Sequence, residues 1–242
     1  MSAAITTPPV SDAPPRPSLL RRIAGFFRAD SLPTLAALLI FVLMLIYGET
    51  AYGRIFQIST LSNLFINNAH LIILAVGLTF VIISGGIDLS VGAIIALSSV
   101  AGVMLAGAGW NPWLVILVMI GIGSAIGLFS GILIQYFNVQ PFIATLAMMS
   151  IARGITLVIS QGSPIPTAPA VNALGKNHFG IPMPILMMAL AGIVCWFILS
   201  RTVLGRSMYA IGGNMEAARL SGLPVKRILV MVYGLAGVYA AL

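Results

Sequence analysis

Five carboxylates and two histidines are all the side chains this 242-residue chain has that ordinarily exchange protons at or below neutral pH, so their placing limits the chemistry open to it. Asp88 stands in Ser84-Gly85-Gly86-Ile87-Asp88-Leu89-Ser90-Val91-Gly92, between two long apolar runs. A carboxylate at membrane depth costs a few kcal/mol and needs a partner. Gly85 and Gly86 break the preceding helix, while Ser90 and Gly92 keep its restart slim. A broken helix exposes unpaired backbone groups, tolerated only where they face protein or a wet cavity. Three readings of Asp88 follow: a cap at the start of the next span, a group lining a solute path, or a carrier of a coupling proton. The first two are compatible.

Other reactive side chains point to less. Ser130 lies in Gly127-Leu128-Phe129-Ser130-Gly131, but Leu128 occupies the position where an intramembrane serine protease of the G-x-S-G type carries glycine. His70 and His178 fall at interfaces and not within later spans. No G-x-x-x-x-G-K-[ST] occurs, so a nucleotide site would have to be on another polypeptide. Cys195 is the single cysteine and lies in an apolar run, which leaves no disulfide and no thiolate metal site. Arg153, near the outer end of a span, either snorkels to the interface or serves a solute path or an outside partner. Asn67, Asn68 and His70 read as interface residues; a path for a neutral polar solute needs such hydrogen-bonding groups.

The elements that position these residues are set by composition. Hydrophobic residues make up 60% of the chain, charged residues 7%, and the mean hydropathy is +1.09. A soluble domain carries roughly 25% charged residues. This chain cannot solvate its own surface, and the ten-residue alternation of a β-barrel is absent. An all-α, polytopic membrane helical bundle is expected. The net charge of +7 follows topology and is no nucleic-acid signal. Arg16, Arg21, Arg22 and Arg28 precede the first span, and Arg201, Arg206, Arg219, Lys226 and Arg227 share one later loop. Only Arg54 and Lys176 fall in segments expected outside, so the positive-inside rule places both clusters in the cytoplasm.

Residues 1–30 read as a disordered cytoplasmic tail rich in proline, with no cleavable signal, and 31–242 as the transmembrane domain. Asp30 and Ser31 cap a first span over Leu32 to Gly48. Thr50 to Asn68 is an exterior stretch whose second half could begin a helix. Further spans are expected over His70 to Ser84 (starting as early as Leu61), Leu89 to Gly109, Pro112 to Tyr136, Pro141 to Ser160 and Met183 to Ser200. Gln161 to Pro182 forms an exterior loop. Six crossings return the chain to the side of the N-terminus at Arg201, where the second basic cluster lies. A seventh apolar run, Ile228 to Leu242, is shorter than the roughly 20 residues a span needs, so the chain is expected to be cut within a membrane helix. Gly123, Gly127 and Gly131, with Gly121 and Ala125 on a nearby face, form a small-xxx-small ridge for close helix packing or a gating hinge.

The loop over 201–227 carries one more signal. Asn214 can cap a helix over Met215 to Leu220, Gly222 suits its left-handed stop, and Pro224 follows. Glu216 and Arg219 are spaced i,i+3 and can support it. A helix this short is not stable alone in water; a soluble partner is expected to hold it, as a plain connector has no need of such caps.

At these residues the chain resembles the permease subunits of bacterial ABC importers for monosaccharides, of the ribose, xylose, arabinose and galactofuranose type, within the branched-chain amino acid/ribose permease superfamily. Three stretches carry the likeness: GLTFVIISGGIDLSVGAIIAL (Gly77 to Leu97), QPFIATLAMMSIARGITLVIS (Gln140 to Ser160) and YAIGGNMEAARLSGLPV (Tyr209 to Val225). Together they span about Ser59 to Leu242, and family members continue for several further spans.

The resemblance implies a pore of two permeases, each docking a soluble ATPase that holds the ATP and magnesium, with no cofactor or metal and no catalytic residue on this chain. Gly212, Gly213, Asn214, Glu216, Ala217, Ala218, Arg219, Ser221 and Gly222 would contact the ATPase. A periplasmic sugar-binding protein would dock outside, over loops that include Gln161 to Pro182. Ser84, Gly85, Gly86, Asp88, Ser90, Gly92 and Arg153 are the candidates for the translocation path. The multi-pass chain would sit in the bacterial inner membrane with its N-terminus in the cytoplasm. The alternative is an ion-coupled secondary transporter with Asp88 as the coupling carboxylate, although only one broken span is visible where such proteins usually repeat the feature.

Overall fold

The computed structural model describes residues 32–163, 165 and 182–242. The expected tail, the cap at Asp30 and Ser31, and most of the loop after Gln161 lie outside the described residues. Among the described residues every regular element is an α-helix: α1 (Leu32–Tyr52), α2 (Ile58–Ile83), α3 (Val91–Gly107), α4 (Pro112–Tyr136), α5 (Pro141–Ser160), α6 (Met183–Arg201), α7 (Val203–Gly213), α8 (Met215–Leu220) and α9 (Val225–Ala241). The helices α1, α2, α4, α5 and α6 are long and apolar enough to cross a bilayer. Main-chain groups in hydrocarbon must be bonded within the segment, and the helix does that.

Three boundaries differ from expectation for local reasons. Helix α1 runs past Gly48 to Tyr52, and the Glu49 carboxylate then accepts the Ile55 and Phe56 N–H groups at 2.9 and 3.3 Å. Most of the stretch expected outside is therefore helix. Helix α3 has 17 residues and not 21, because Leu89 and Ser90 stay in the linker before it and the chain leaves the helix at Ala108 and Gly109, the latter at φ 79°. Helix α7 was not foreseen. Thr202 accepts the Gly205 N–H at 3.2 Å, and Gly205, Met208 and Ile211 are buried at helical spacing.

The chain divides into two compact units, Met1–Leu61 and Ser62–Leu242. In the second, α9 is the central element. Ile228, Leu229, Val232, Tyr233, Ala236 and Tyr239 enter one hydrophobic cluster with Phe80 of α2, Ile134 of α4 and Met208 of α7. Tyr239 meets Phe80 edge-on at 5.5 Å, and its hydroxyl donates to the Ala191 carbonyl of α6 at 3.0 Å. The apolar run expected to be an incomplete seventh span is thus the axis of this unit.

Glycines let α4 and α9 touch backbone to backbone. A methyl on Gly123 would strike the Gly237 carbonyl, one on Gly127 the Tyr233 carbonyl, and one on Gly131 would lie 2.8 Å from the Val230 α-carbon. The ridge over Gly123, Gly127 and Gly131 is therefore a packing face. Gly121 and Ala125 do not belong to it; both are exposed. Outward faces carry large apolar side chains such as Leu117, Phe129, Ile143, Ile193 and Trp196, which suits a surface solvated by lipid.

Candidate functional site

Two short features share one end of the bundle: the break after α2, and the α7–α8 segment. The break is built from the backbone outward. At the end of α2 the Gly85 N–H donates to the Ile82 carbonyl (3.0 Å) and the Gly86 N–H to the Val81 carbonyl (2.9 Å), with Gly85 at φ 77°. This is the glycine-terminated stop in which two otherwise orphaned carbonyls are bonded by the chain turning left-handed. Ser84 is buried and its hydroxyl donates to the Phe80 carbonyl at 2.8 Å.

Asp88 then organises the restart. Its Oδ1 accepts the Ser90 N–H at 2.8 Å and the Ser90 hydroxyl at 2.6 Å. Ser90 holds the capping position of α3, and its carbonyl accepts the first helical N–H groups, from Ala93 and Ile94. The carboxylate therefore acts one step outside the cap, as a short polar turn bonding the backbone two residues on. Asp88 is 7% exposed, and its Oδ2 has no hydrogen-bond partner among the described residues. Burial in this linker pushes the carboxyl up from its ordinary range, against the opposing pull of the two Ser90 hydrogen bonds.

Neighbouring elements grip the linker. The Tyr233 hydroxyl of α9 donates to the Ile87 carbonyl at 3.2 Å, and a methyl on Gly86 would sit 2.9 Å from that hydroxyl. Gly92 faces open space, so no close neighbour requires a glycine there. Arg153 is exposed on α5, where the adjoining Ala152 is buried against Ala93 and Leu97 of α3. Ser84, Gly85, Gly86, Asp88 and Ser90 are thus one local structure, and no ion pair joins Arg153 to Asp88 among the described residues.

The α7–α8 segment follows the sequence expectation closely. Asn214 ends α7, its N–H donating to the Ala210 carbonyl (3.1 Å), and also caps α8, its Oδ1 accepting the Ala217 N–H (2.9 Å). Gly222, at φ 85°, closes α8 in the same left-handed manner as Gly85. Its N–H bonds the Arg219 carbonyl and the Leu223 N–H bonds the Ala218 carbonyl. Glu216 and Arg219 lie 3.9 Å apart with largely exposed side chains, which makes theirs a weak, solvent-screened pair.

Of the nine residues the resemblance assigns here, Gly212, Gly213, Asn214, Glu216, Ala217, Arg219, Ser221 and Gly222 are exposed, while Ala218 turns inward and joins the core. Two apolar side chains were not singled out from sequence: Met215 is 48% exposed and Leu220 is 80% exposed. Their signal was an apolar residue inside a polar loop.

A cleft of about 620 Å³ opens beside α8, lined by Gln135 and Tyr136 at the end of α4, by Asn138 just after it, and by Glu216, Arg219, Lys226 and Arg227. Lys226 lies over the Tyr136 ring at 5.6 Å. Three cations against one carboxylate make this a positively charged surface. At another part of the bundle, His70, Ser98, Ser99 and Tyr239 line a cavity of about 90 Å³, which gives His70 a place the sequence did not assign.

Residues 60–242 match the family model described as branched-chain amino acid transport system / permease component. The chain belongs to that family. It is a multi-pass membrane protein. It is 42% identical to the fructose import permease protein FruG of Bifidobacterium longum over 223 residues, which are 87% of this chain and 66% of the relative. It is 38% identical to the ribose import permease protein RbsC of Escherichia coli over 215 residues, 86% of this chain and 66% of the relative. With the ribose import permease protein RbsC of Bacillus subtilis it shares 46% identity over 176 residues, 70% of this chain and 54% of the relative. The chain thus spans between about half and two thirds of the length of these relatives. No solved structure matches it.

Proposed function

We propose that this chain is the membrane-spanning subunit of an ATP-driven importer for a small sugar, moved by alternating access while a separate ATPase hydrolyses the nucleotide. The reading is carried by the family match over residues 60–242, with relatives named as import permeases for fructose and ribose. Support from the geometry comes from α8. It is six residues long, capped at both ends and presented outward with Glu216, Arg219, Met215 and Leu220 exposed. A helix of that length gains its stability from what it rests on, and an exposed mixture of apolar and charged groups suits a protein partner.

In this reading the basic clusters place α7 and α8 in the cytoplasm of a bacterial inner-membrane protein, with the N-terminus on the same side. ATP and magnesium stay on the ATPase, a periplasmic sugar-binding protein delivers the solute, and a second permease, of the same or another kind, completes the pore. ATPase closure pushes α8, and the bundle passes from outward- to inward-facing. The chain itself performs no covalent step.

The ion-coupled reading of Asp88 draws no support from the relatives, and the carboxylate is already engaged in ordering the turn before α3. The decisive test is uptake of labelled ribose and fructose into proteoliposomes containing the permease, its ATPase and its binding protein. Uptake is expected only with ATP and to survive a protonophore. Uptake that needs no ATP and collapses with the proton gradient would refute the proposal.

A further inference from the structure

The surface that would receive the ATPase and the broken helix are joined by one close contact. A methyl built on Gly212 would collide with the Ile83 carbonyl oxygen and come within 3.5 Å of the Ser84 α-carbon. Gly212 is the penultimate residue of α7, which is separated from α8 by Asn214 alone. Asn214 bonds both helices, accepting from α8 with its side chain and donating to α7 with its N–H. A displacement of α8 therefore acts on α7 through a junction with no slack, and α7 meets the last residues of α2 at Gly212.

We propose that Gly212 is the positioning residue that carries movement of α8 into the Ser84–Ser90 linker. This rests on the reading that α8 is where an ATPase docks. The linker is also held by Tyr233 of α9, whose hydroxyl bonds the Ile87 carbonyl and lies close to Gly86. It thus meets α7 at its start, through Gly212, and the buried axis α9 further along. In the linker, Asp88 keeps one oxygen bonded to the Ser90 N–H and hydroxyl. A short irregular segment touched by two helices is the kind of element through which a two-state transmission can act.

The test uses the complete transporter, with ATPase and binding protein, in proteoliposomes. Gly212→Ala and Gly212→Val push the end of α2 away from α7, and Tyr233→Phe removes the bond from α9. Solute moved per ATP hydrolysed, normalised to the ATPase recovered, is expected to fall in each, by about tenfold for Gly212→Val, and Tyr233→Phe, outside the docking segment, is expected to leave ATPase recovery unchanged. Gly192 of α6 faces open space and lies outside the docking segment, so Gly192→Ala is the control for helix propensity and is expected to retain the ratio. In a Cys195→Ser background, Ile87→Cys is expected to change its maleimide labelling when a non-hydrolysable ATP analogue is added, and to lose that response when combined with Gly212→Val. Should Gly212→Val fail to insert, Gly212→Ala and Tyr233→Phe carry the same comparison.

Uptake and hydrolysis falling in parallel, an unchanged ratio in both Gly212→Ala and Tyr233→Phe, or labelling that still responds to nucleotide would overturn the proposal. Failure of the docking reading would look different: Glu216→Lys would then leave ATPase recovery intact.

Discussion

The α4–α9 crossing and the α7–α8 segment are both rich in glycine, and they use it differently. At the crossing, Gly123, Gly127, Gly131 and Gly237 are where another backbone would strike an added methyl, so the absence of a side chain is itself the contact. In the segment, Gly205 and Gly212 of α7 also lie against backbone, but Gly213 and Gly222 around α8 face open space, and Gly222 is needed for its left-handed φ of 85°. One region stores its stability in apposed main chains inside the bundle. The other is shaped by caps and left exposed. Glycine frequency alone does not tell a rigid axis from a docking surface; what lies opposite the missing Cβ does.

The sharpest way to break that contrast is to fill the crossing. Gly127→Leu is expected to cost well over the roughly 1–3 kcal/mol of ordinary overpacking, because the obstacle is backbone and cannot swing aside. Loss of the monodisperse peak and a lower Tm in detergent would show it, whereas Gly121→Leu, on the exposed face of the same helix, should leave both unchanged. In the other region, Glu216→Lys, or Gly213 replaced by tryptophan, is expected to abolish uptake and weaken ATPase co-purification with insertion intact. Normal recovery of the ATPase with either would count against docking there.

A smaller effect is expected at the linker. Asp88→Asn keeps an acceptor for Ser90 and sheds a buried charge, so uptake should fall by no more than a few-fold; Asp88→Leu, which leaves the Ser90 N–H and hydroxyl unbonded, should cost about 1–3 kcal/mol by thermal melt. Abolition of uptake by Asp88→Asn would revive the coupling-proton reading. Smallest is the cap: Asn214→Ala should cost about 1 kcal/mol, seen as roughly fivefold weaker ATPase binding with the fold unaltered.

Much of this was legible from residue order. The helix over Met215 to Leu220 was placed by its cap, stop and following proline, because such ends are local, closing within a few residues. The break at Gly85 and Gly86 was legible for the same reason. Helix α7 was missed because its apolar spacing is short and lies next to a basic cluster that masks it. Ala218 was placed on the docking face by its neighbours in the motif, although a helix turns each residue by about 100° and carries this one inward.

Sequence by itself determined that the chain is a helical membrane protein, where its spans run to within a few residues, and how the short helix is capped. Those properties follow from solvation of apolar runs and from hydrogen bonds closed within one turn. Only the tertiary structure decided that the seventh apolar run is the axis of its unit, that Tyr233 holds the Ile87 carbonyl, and that Gly212 meets the end of α2. The last two are contacts between residues more than a hundred positions apart. Which main-chain groups approach that closely is set by how the helices pack, and no local pattern in the chain encodes it.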